Sequence, residues 1–326
     1  MLCGSFIVQY YLGTWQVSPS DGFWTDQDIS KSEKVISLAL KLGIRGFDTA
    51  QSYGKGRAEQ TLAKVLRRFS TPIKPTTPTK PIKPTTPTKT FQIDTKVMPS
   101  TKSVLEIFKI SQTRLSPFSI DCLYLHWPRS GFDNMAFIKE MAKLREEGLI
   151  GKVGVCNMPI GDLEGVVASG IVVDRIQIPI SLLWTRDLAE TRAFCKENNI
   201  QICAYSPTGM GLLSGKYKES KDLHDARANL YCFKDPCHKN FLELLEILNK
   251  TALAHSTSCT KVALAWTVAQ NPDIILIGAR NTEQLQQNLS DQITLTETEL
   301  SDLTSAARKL DESSLKICSN IFSYDF

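Results

Sequence analysis

A parallel (β/α)8 barrel, the α/β fold class known as the TIM barrel, is what this sequence predicts. Short apolar runs of strand character alternate with longer stretches of helical period from one end of the chain to the other. Eight such units fill 326 residues, with none of the linkers or composition breaks that two doubly wound domains would need. Several of the apolar runs end on a polar side chain, at the barrel face where active sites form. The expectation is one domain, 1–326, with a Pro/Thr/Lys repeat insertion at 71–90 between the second helix and the third strand and a C-terminal tail at 315–326.

The first strand falls at 7–12, IVQYYL. A helix follows over 30–42, where Val35, Leu38, Ala39 and Leu42 make one apolar face and Ser30 with Glu33 fits a capping box. Strand 44–49, IRGFDT, leads to a helix at 58–69. Strand 91–96, FQIDTK, precedes a helix at 101–115, and strand 120–126, IDCLYLH, one at 135–147. Strands 150–156 and 174–180 precede helices 159–169 and 186–198. The seventh strand, 200–206, is followed by two helices, 240–254 and 260–270. The eighth strand, 273–278, leads to a helix at 282–289 that Thr282 and Glu283 open.

The insertion is two copies of one nonapeptide, PIKPTTPTK, at 72–80 and 81–89, and holds six of the fifteen prolines. Proline at that density removes backbone donors and favours extended polyproline II over helix or sheet interior. A segment between a helix and the next strand lies on the N-terminal barrel face, away from the chemistry. It reads as a duplicated solvated loop, and its PxxP spacings also suit a proline-reading partner of residues 72–89.

Composition narrows the function. The net charge of +4 resides in the insertion, whose Lys74, Lys80, Lys83 and Lys89 match the whole excess of 38 basic over 34 acidic residues. The remainder is balanced, which argues against a nucleic-acid groove. No apolar run is long enough to span a membrane, and the start lacks a secretory signal, so a cytoplasmic protein is expected. Nine scattered cysteines read as reduced thiols, and Cys232, Cys237 and His238 lack metal-ligand spacing, so no metal is expected.

The chemistry is sought among polar strand-end residues. Asp48, Lys96 and His126 close three successive strands, and Asn157 follows the fifth, so all four converge on one rim. Tyr53 stands five residues past Asp48 in a turn with Gly54 and Gly56, within reach of the barrel mouth. An ammonium beside a phenol favours phenolate. At ~4 Å and an effective dielectric of about 20 the attraction is ~4 kcal/mol, at most roughly three units off a pKa of about 10. Tyr53 beside Lys96 is therefore expected to act as a general acid near neutral pH.

In type, order and strand context, Asp48, Tyr53, Lys96 and His126 resemble the catalytic tetrad of the aldo-keto reductases. The resemblance extends over LGTW at 12–15, GIRGFDTAQSYG at 43–54, LHWP at 125–128, GKVGVCN at 151–157, Gln177, AYSPTGMGLLSGKY at 204–217 and IGARNTEQLQQN at 277–288. It implies hydride transfer between a nicotinamide cofactor and a carbonyl carbon, with Tyr53 donating the proton. Lys96, tied to Asp48, would tune Tyr53, and His126 would orient the carbonyl.

The same resemblance implies a cofactor site. Thr14, Trp15 and Asp48 would border it, Asn157 and Gln177 would bond the nicotinamide amide, and Tyr205 would stack on its ring. Ser206, Pro207, Gly209, Gly211, Leu212, Gly215 and Lys216 would form the loop over the pyrophosphate. Gly278, Arg280, Gln284, Gln287 and Asn288 would take the adenosine phosphate, and Arg280 favours NADPH over NADH. Cys156 and Gln287 stand where the family usually has serine and glutamate. GMGLLSGK is not a triphosphate-binding loop, because Met210 replaces its first glycine and Tyr217 the hydroxyl that would hold magnesium.

The substrate implied is a small aldehyde or ketone, in a pocket with Tyr53, His126, Trp15 and Trp127 around it. An alternative within the resemblance is a regulatory subunit that senses the nucleotide with little turnover. A metal-dependent barrel hydrolase is excluded: of four histidines only His126 ends a strand.

Overall fold

The computed structural model describes residues 8–20, 22–70, 91–315 and 317–318. The repeat at 71–90, with the proline-reading segment in it, lies outside them. Among the described residues eight strands close into one ring, each parallel to the next: β1 (Gln9–Gly13), β2 (Gly46–Asp48), β3 (Gln92–Val97), β4 (Ile120–Leu125), β5 (Ile150–Cys156), β6 (Arg175–Pro179), β7 (Gln201–Tyr205) and β8 (Ile274–Ile277). The eight runs expected from the sequence are these strands, with ends that differ by at most two residues. β1 pairs with β8, Tyr11 beside Leu276, so the sheet has no edge.

Helices wrap the ring: α1 (Ile29–Lys41), α2 (Arg57–Phe69), α3 (Val104–Leu115), α4 (Asn134–Glu146), α5 (Ile160–Ala168), α6 (Leu188–Glu197), α7 (Cys237–Ala254), α8 (Cys259–Ala269) and α9 (Thr282–Leu289). Outward strand residues such as Phe47, Ile93, Leu123 and Val153 are buried against them in the main apolar core. Two expectations change. α1 is capped by Asp28, whose carboxylate accepts from the Ser30 amide at 2.8 Å, and not by a Ser30 and Glu33 box. Glu33 instead pairs with Lys64 and Arg68 of α2. A tenth helix, α10 (Glu297–Ser314), went unforeseen although Thr296 and Glu299 form a capping box at its start; it packs on α7.

Period two along each strand decides what fills the barrel. On β1 to β7 the inward positions include Tyr11, Gly46, Asp48, Asp94, Lys96, Cys122, Tyr124, Gly154, Cys156, Arg175, Gln177 and Cys203, which the parallel register sets side by side, and β8 adds the aliphatic Ile274 and Leu276. A barrel interior is normally branched and aliphatic; this one is largely polar and must satisfy itself. Arg175 donates to both oxygens of Asp94, at 3.0 and 2.8 Å, and to Gln201. Two glycines make room: a Cβ on Gly46 would meet the Tyr11 ring at 2.2 Å, and one on Gly154 the Tyr124 ring at 2.3 Å. The eight described cysteines are buried and free. None of the described helices is long and apolar enough to cross a membrane.

Candidate active site

The upper end of this polar column is the rim predicted from sequence. Lys96, from β3, is sealed from solvent and reaches Asp48 of β2 at 2.5 Å and the Thr49 carbonyl at 2.8 Å. The second Asp48 oxygen accepts from the Gln177 amide at 2.9 Å. Burial pulls the Lys96 ammonium down, but the attraction of Asp48 together with that of Tyr53 and Cys156 more than offsets it and holds the lysine above its usual range. The strand register enforces the meeting, since Asp48 lies beside Asp94, one inward position below Lys96.

Tyr53 leaves β2 through a tight turn in which Gly54, Lys55 and Gly56 all take positive φ. A Cβ on Gly54 would strike the Ser18 hydroxyl at 2.0 Å, so glycine is required there. The turn swings the phenol ring over the column, with the Lys96 ammonium 4.9 Å from its centroid. His126, after β4, meets the same ring edge-on at 5.6 Å. Its Nδ1 lies 3.5 Å from the Ser52 hydroxyl. Burial and then the Lys96 charge push His126 well below the ordinary histidine range, so the imidazole is neutral at pH 7.

The expectation that Lys96 brings Tyr53 toward neutral pH is corrected. Burial pushes the phenol up to about 12, and the Lys96 attraction offsets only part of that. The charge of Lys96 acts on a phenol that the barrel has already stripped of water, and loss of hydration is the larger effect. Tyr53 is therefore protonated across the physiological range, the form a general acid must start from.

A cavity of about 640 Å³ opens above these side chains. Asp48, Tyr53, His126, Trp15 and Trp127 line one end; Asn157, Gln177, Tyr205, Ser206, Pro207, Gly211 and Lys216 follow; Gly278, Arg280, Gln284, Gln287 and Asn288 close the other. Four predicted cofactor residues do not line it. Thr14 is buried and bonds the Asp48 carbonyl through its hydroxyl at 2.9 Å, fixing the end of β2. Leu212 is core, Gly209 packs on Leu183 and Leu213, and Gly215 faces Cys259.

Sequence reasoning missed Gln16, Phe23 and Trp24 in the loop before α1, Met98 after β3, Arg227, and Ser258 and Thr260 at the start of α8. Arg227 donates to both oxygens of Asp225 and to the Met210 carbonyl, and stacks 4.8 Å above the Trp24 ring. Apart from Ser258 and Thr260 at the α8 start, these residues lie in irregular connections of low hydrophobic periodicity, where the aromatic pair Phe23 and Trp24 is the clearest signal.

The lining has the chemistry that a nicotinamide dinucleotide needs. The Tyr205 ring offers a stacking face, and its hydroxyl donates to Asn157 at 2.7 Å, leaving that amide's NH2 for other acceptors. Gln177 spends its NH2 on Asp48, so its carbonyl oxygen is what it presents. After β7 the chain takes positive φ at Ser206, Gly209, Met210 and Gly211, a backbone cradle of the kind that binds phosphate. Lys216 and Arg280 add positive charge.

The profile of the Aldo/keto reductase family matches residues 11–308. Among curated relatives, the aldo-keto reductase YhdN of Bacillus subtilis is 28% identical over 284 residues, 84% of this chain and 82% of that protein. An NADH-specific methylglyoxal reductase of Escherichia coli is 27% identical over 293 residues, covering 86% and 88%. In solved structures, a glycerol dehydrogenase from Gluconobacter oxydans shares the fold with a TM-score of 0.72 at 24% identity, over 92% of this chain and 91% of that one. A holo aldo-keto reductase from Bacillus halodurans does so at 0.69 and 19% identity, over 91% of each. The chain belongs to the aldo/keto reductase family and is an NAD(P)H-dependent oxidoreductase, carbonyl reduction being the family's general reaction.

Proposed function

We propose that this protein reduces the carbonyl of a small aldehyde or ketone to the alcohol with NADPH, using Tyr53 as the general acid. The carrying observation is the Tyr53 ring, set over the cavity floor between the Lys96 ammonium and the neutral His126. The bound cofactor supplies the hydride. The protein's part is position and proton. Neutral His126 donates its one N–H to the substrate oxygen and fixes it beside the Tyr53 hydroxyl. Tyr53 gives its proton to that oxygen as negative charge builds there, and Lys96 stabilises the phenolate left behind. Asp48 holds Lys96 in place from below, with Gln177 bracing the carboxylate.

Asn157 and Gln177 suit the carboxamide, Tyr205 the nicotinamide face, and the loop from Ser206 to Lys216 the pyrophosphate. Arg280 supports NADPH over NADH because it offers a cation at the adenosine end. Trp15 and Trp127 are the substrate walls.

The test is loss of NADPH absorbance with a panel of aldehydes and ketones, beside a fluorescence titration of NADPH and NADH. Turnover that drops by about 10²–10⁴ in Tyr53→Phe with cofactor affinity kept supports the reading. Binding without turnover across the panel turns it to nucleotide sensing, and a chain that binds neither cofactor overturns it.

A further inference from the structure

The adenosine end of the cavity carries an arrangement that a simple 2′-phosphate site does not need. Arg280 follows β8 and lines the cavity. Its guanidinium is already engaged by the loop between β1 and α1. Nη2 donates to the Asp26 carboxylate at 2.7 Å, and Nε to the side-chain amide oxygen Oε1 of Gln27 at 3.0 Å. Gln27 also donates to the Arg280 carbonyl at 3.0 Å, so the loop grips both the backbone and the side chain of this residue. The Trp24 ring, another lining residue, lies 6.0 Å from the guanidinium carbon.

Asp26 is thus a built-in rival for the cation that would meet the phosphate. The Asp26 side chain is 75% exposed and that of Arg280 28%, so water screens the pair and a phosphate dianion can displace it. The Arg280 hydrogen bond holds the Asp26 carboxyl below its usual range, which keeps it ionised wherever the protein works. A carboxylate at that place repels a 2′-phosphate, whereas a ribose hydroxyl can donate a hydrogen bond to it. Arg280 attracts the same phosphate. The two side chains set opposite signs on one discrimination, and their balance decides how strongly NADPH is favoured.

We infer that Asp26 is a specificity-determining residue for the cofactor, narrowing by competition for Arg280 the NADPH preference that Arg280 confers. The inference rests on the NADPH reading above and adds a residue that touches neither the reacting atoms nor the tetrad. Its prediction is one-sided: removing the carboxylate strengthens NADPH binding and does not strengthen NADH binding.

The experiment is a fluorescence titration of the full chain with NADPH and with NADH, for the wild type, Asp26→Asn, Asp26→Ala, Arg280→Ala and the double variant Asp26→Asn with Arg280→Ala. Asp26→Asn and Asp26→Ala should each tighten NADPH by about two- to fivefold, the range of an exposed ion pair, with no gain for NADH. In the Arg280→Ala background, Asp26→Asn should gain less than it does alone, since no cation remains to be released. Equal tightening for both cofactors would assign Asp26 to loop geometry and overturn the inference, and so would unchanged NADPH affinity. A wild type that binds neither cofactor would bring down the cofactor reading itself. One that binds both while the variants show no selectivity brings down the role of Asp26 alone.

Discussion

Arg175 on β6 and Asp94 on β3 meet across the barrel interior at 2.8 Å, both sealed from solvent. Burial pushes the Asp94 carboxyl up to about 7, against the pull of Arg175. In the unfolded chain the group has a pKa of about 3.9, so the folded state holds its proton more tightly. Its contribution to stability is therefore full below about pH 4, declines as pH rises from about 4 to about 7, and is flat above. The unfolding free energy of wild type minus that of Asp94→Asn should fall between pH 5 and pH 8 in denaturant titrations; a difference that stays level or rises would contradict this. Arg175→Met, which strands Asp94, should cost about 3–5 kcal/mol at neutral pH.

Lys96→Met removes the charge that opposes burial at Tyr53. The phenol already stands at about 12, and it should rise further. If Tyr53 is the proton donor as proposed, carbonyl reduction should keep its pH limits but lose rate, because the phenolate left behind is no longer stabilised. Alcohol oxidation, which needs the phenolate, should move to higher pH or vanish. Steady-state pH profiles in both directions check this, and an unmoved oxidation limb would remove Lys96 from its role.

Gly154→Ala should be costly in a way that its chemistry alone does not suggest. The new methyl lands 2.3 Å from the Tyr124 ring inside a closed barrel, where the ring cannot step aside. A loss of about 1–3 kcal/mol is expected from overpacking. Thermal melting measures it, and a melting temperature equal to that of the wild type would show that the barrel yields there.

Trp15 lines the cavity with its ring 6.3 Å from that of Tyr53. Trp15→Ala should raise KM for bulky apolar aldehydes by about tenfold, the worth of an aromatic contact, with a smaller effect on the shortest ones. Equal effects on long and short substrates would point to a disturbed tetrad instead.

The fold was legible because strand and helix periods differ and alternate without a break, and because period two puts Asp48, Lys96 and Gln177 on the same side of their strands. The tetrad was legible for the same reason: its members end strands or follow them closely. Two kinds of feature were hidden. The first is balance: the order of residues names Lys96 as Tyr53's neighbour but does not state how much water the barrel removes from both, and desolvation wins. The second is loop company. Nothing in the spacing of Asp26 and Gln27 ties them to Arg280, more than 250 residues away, and Arg227 likewise finds Trp24 only through the path of two irregular loops. Helix α10 was legible but overlooked, since Thr296 and Glu299 carry the capping signal on their own.

The pairing of β1 with β8 has a consequence for how the protein comes into being. Tyr11 is among the first of the described residues to leave the ribosome, and its neighbour Leu276 among the last, so the ring cannot close until synthesis is nearly finished. Contacts that distant in sequence are slow to form, and until they do β1 and β7 keep unpaired backbone exposed to other chains. Arg280 emerges just after β8, so the lining of the cavity and the closed barrel are completed close together along the chain. A nascent or truncated chain that ends before β8 has the four rim residues in its sequence but no ring to hold them together.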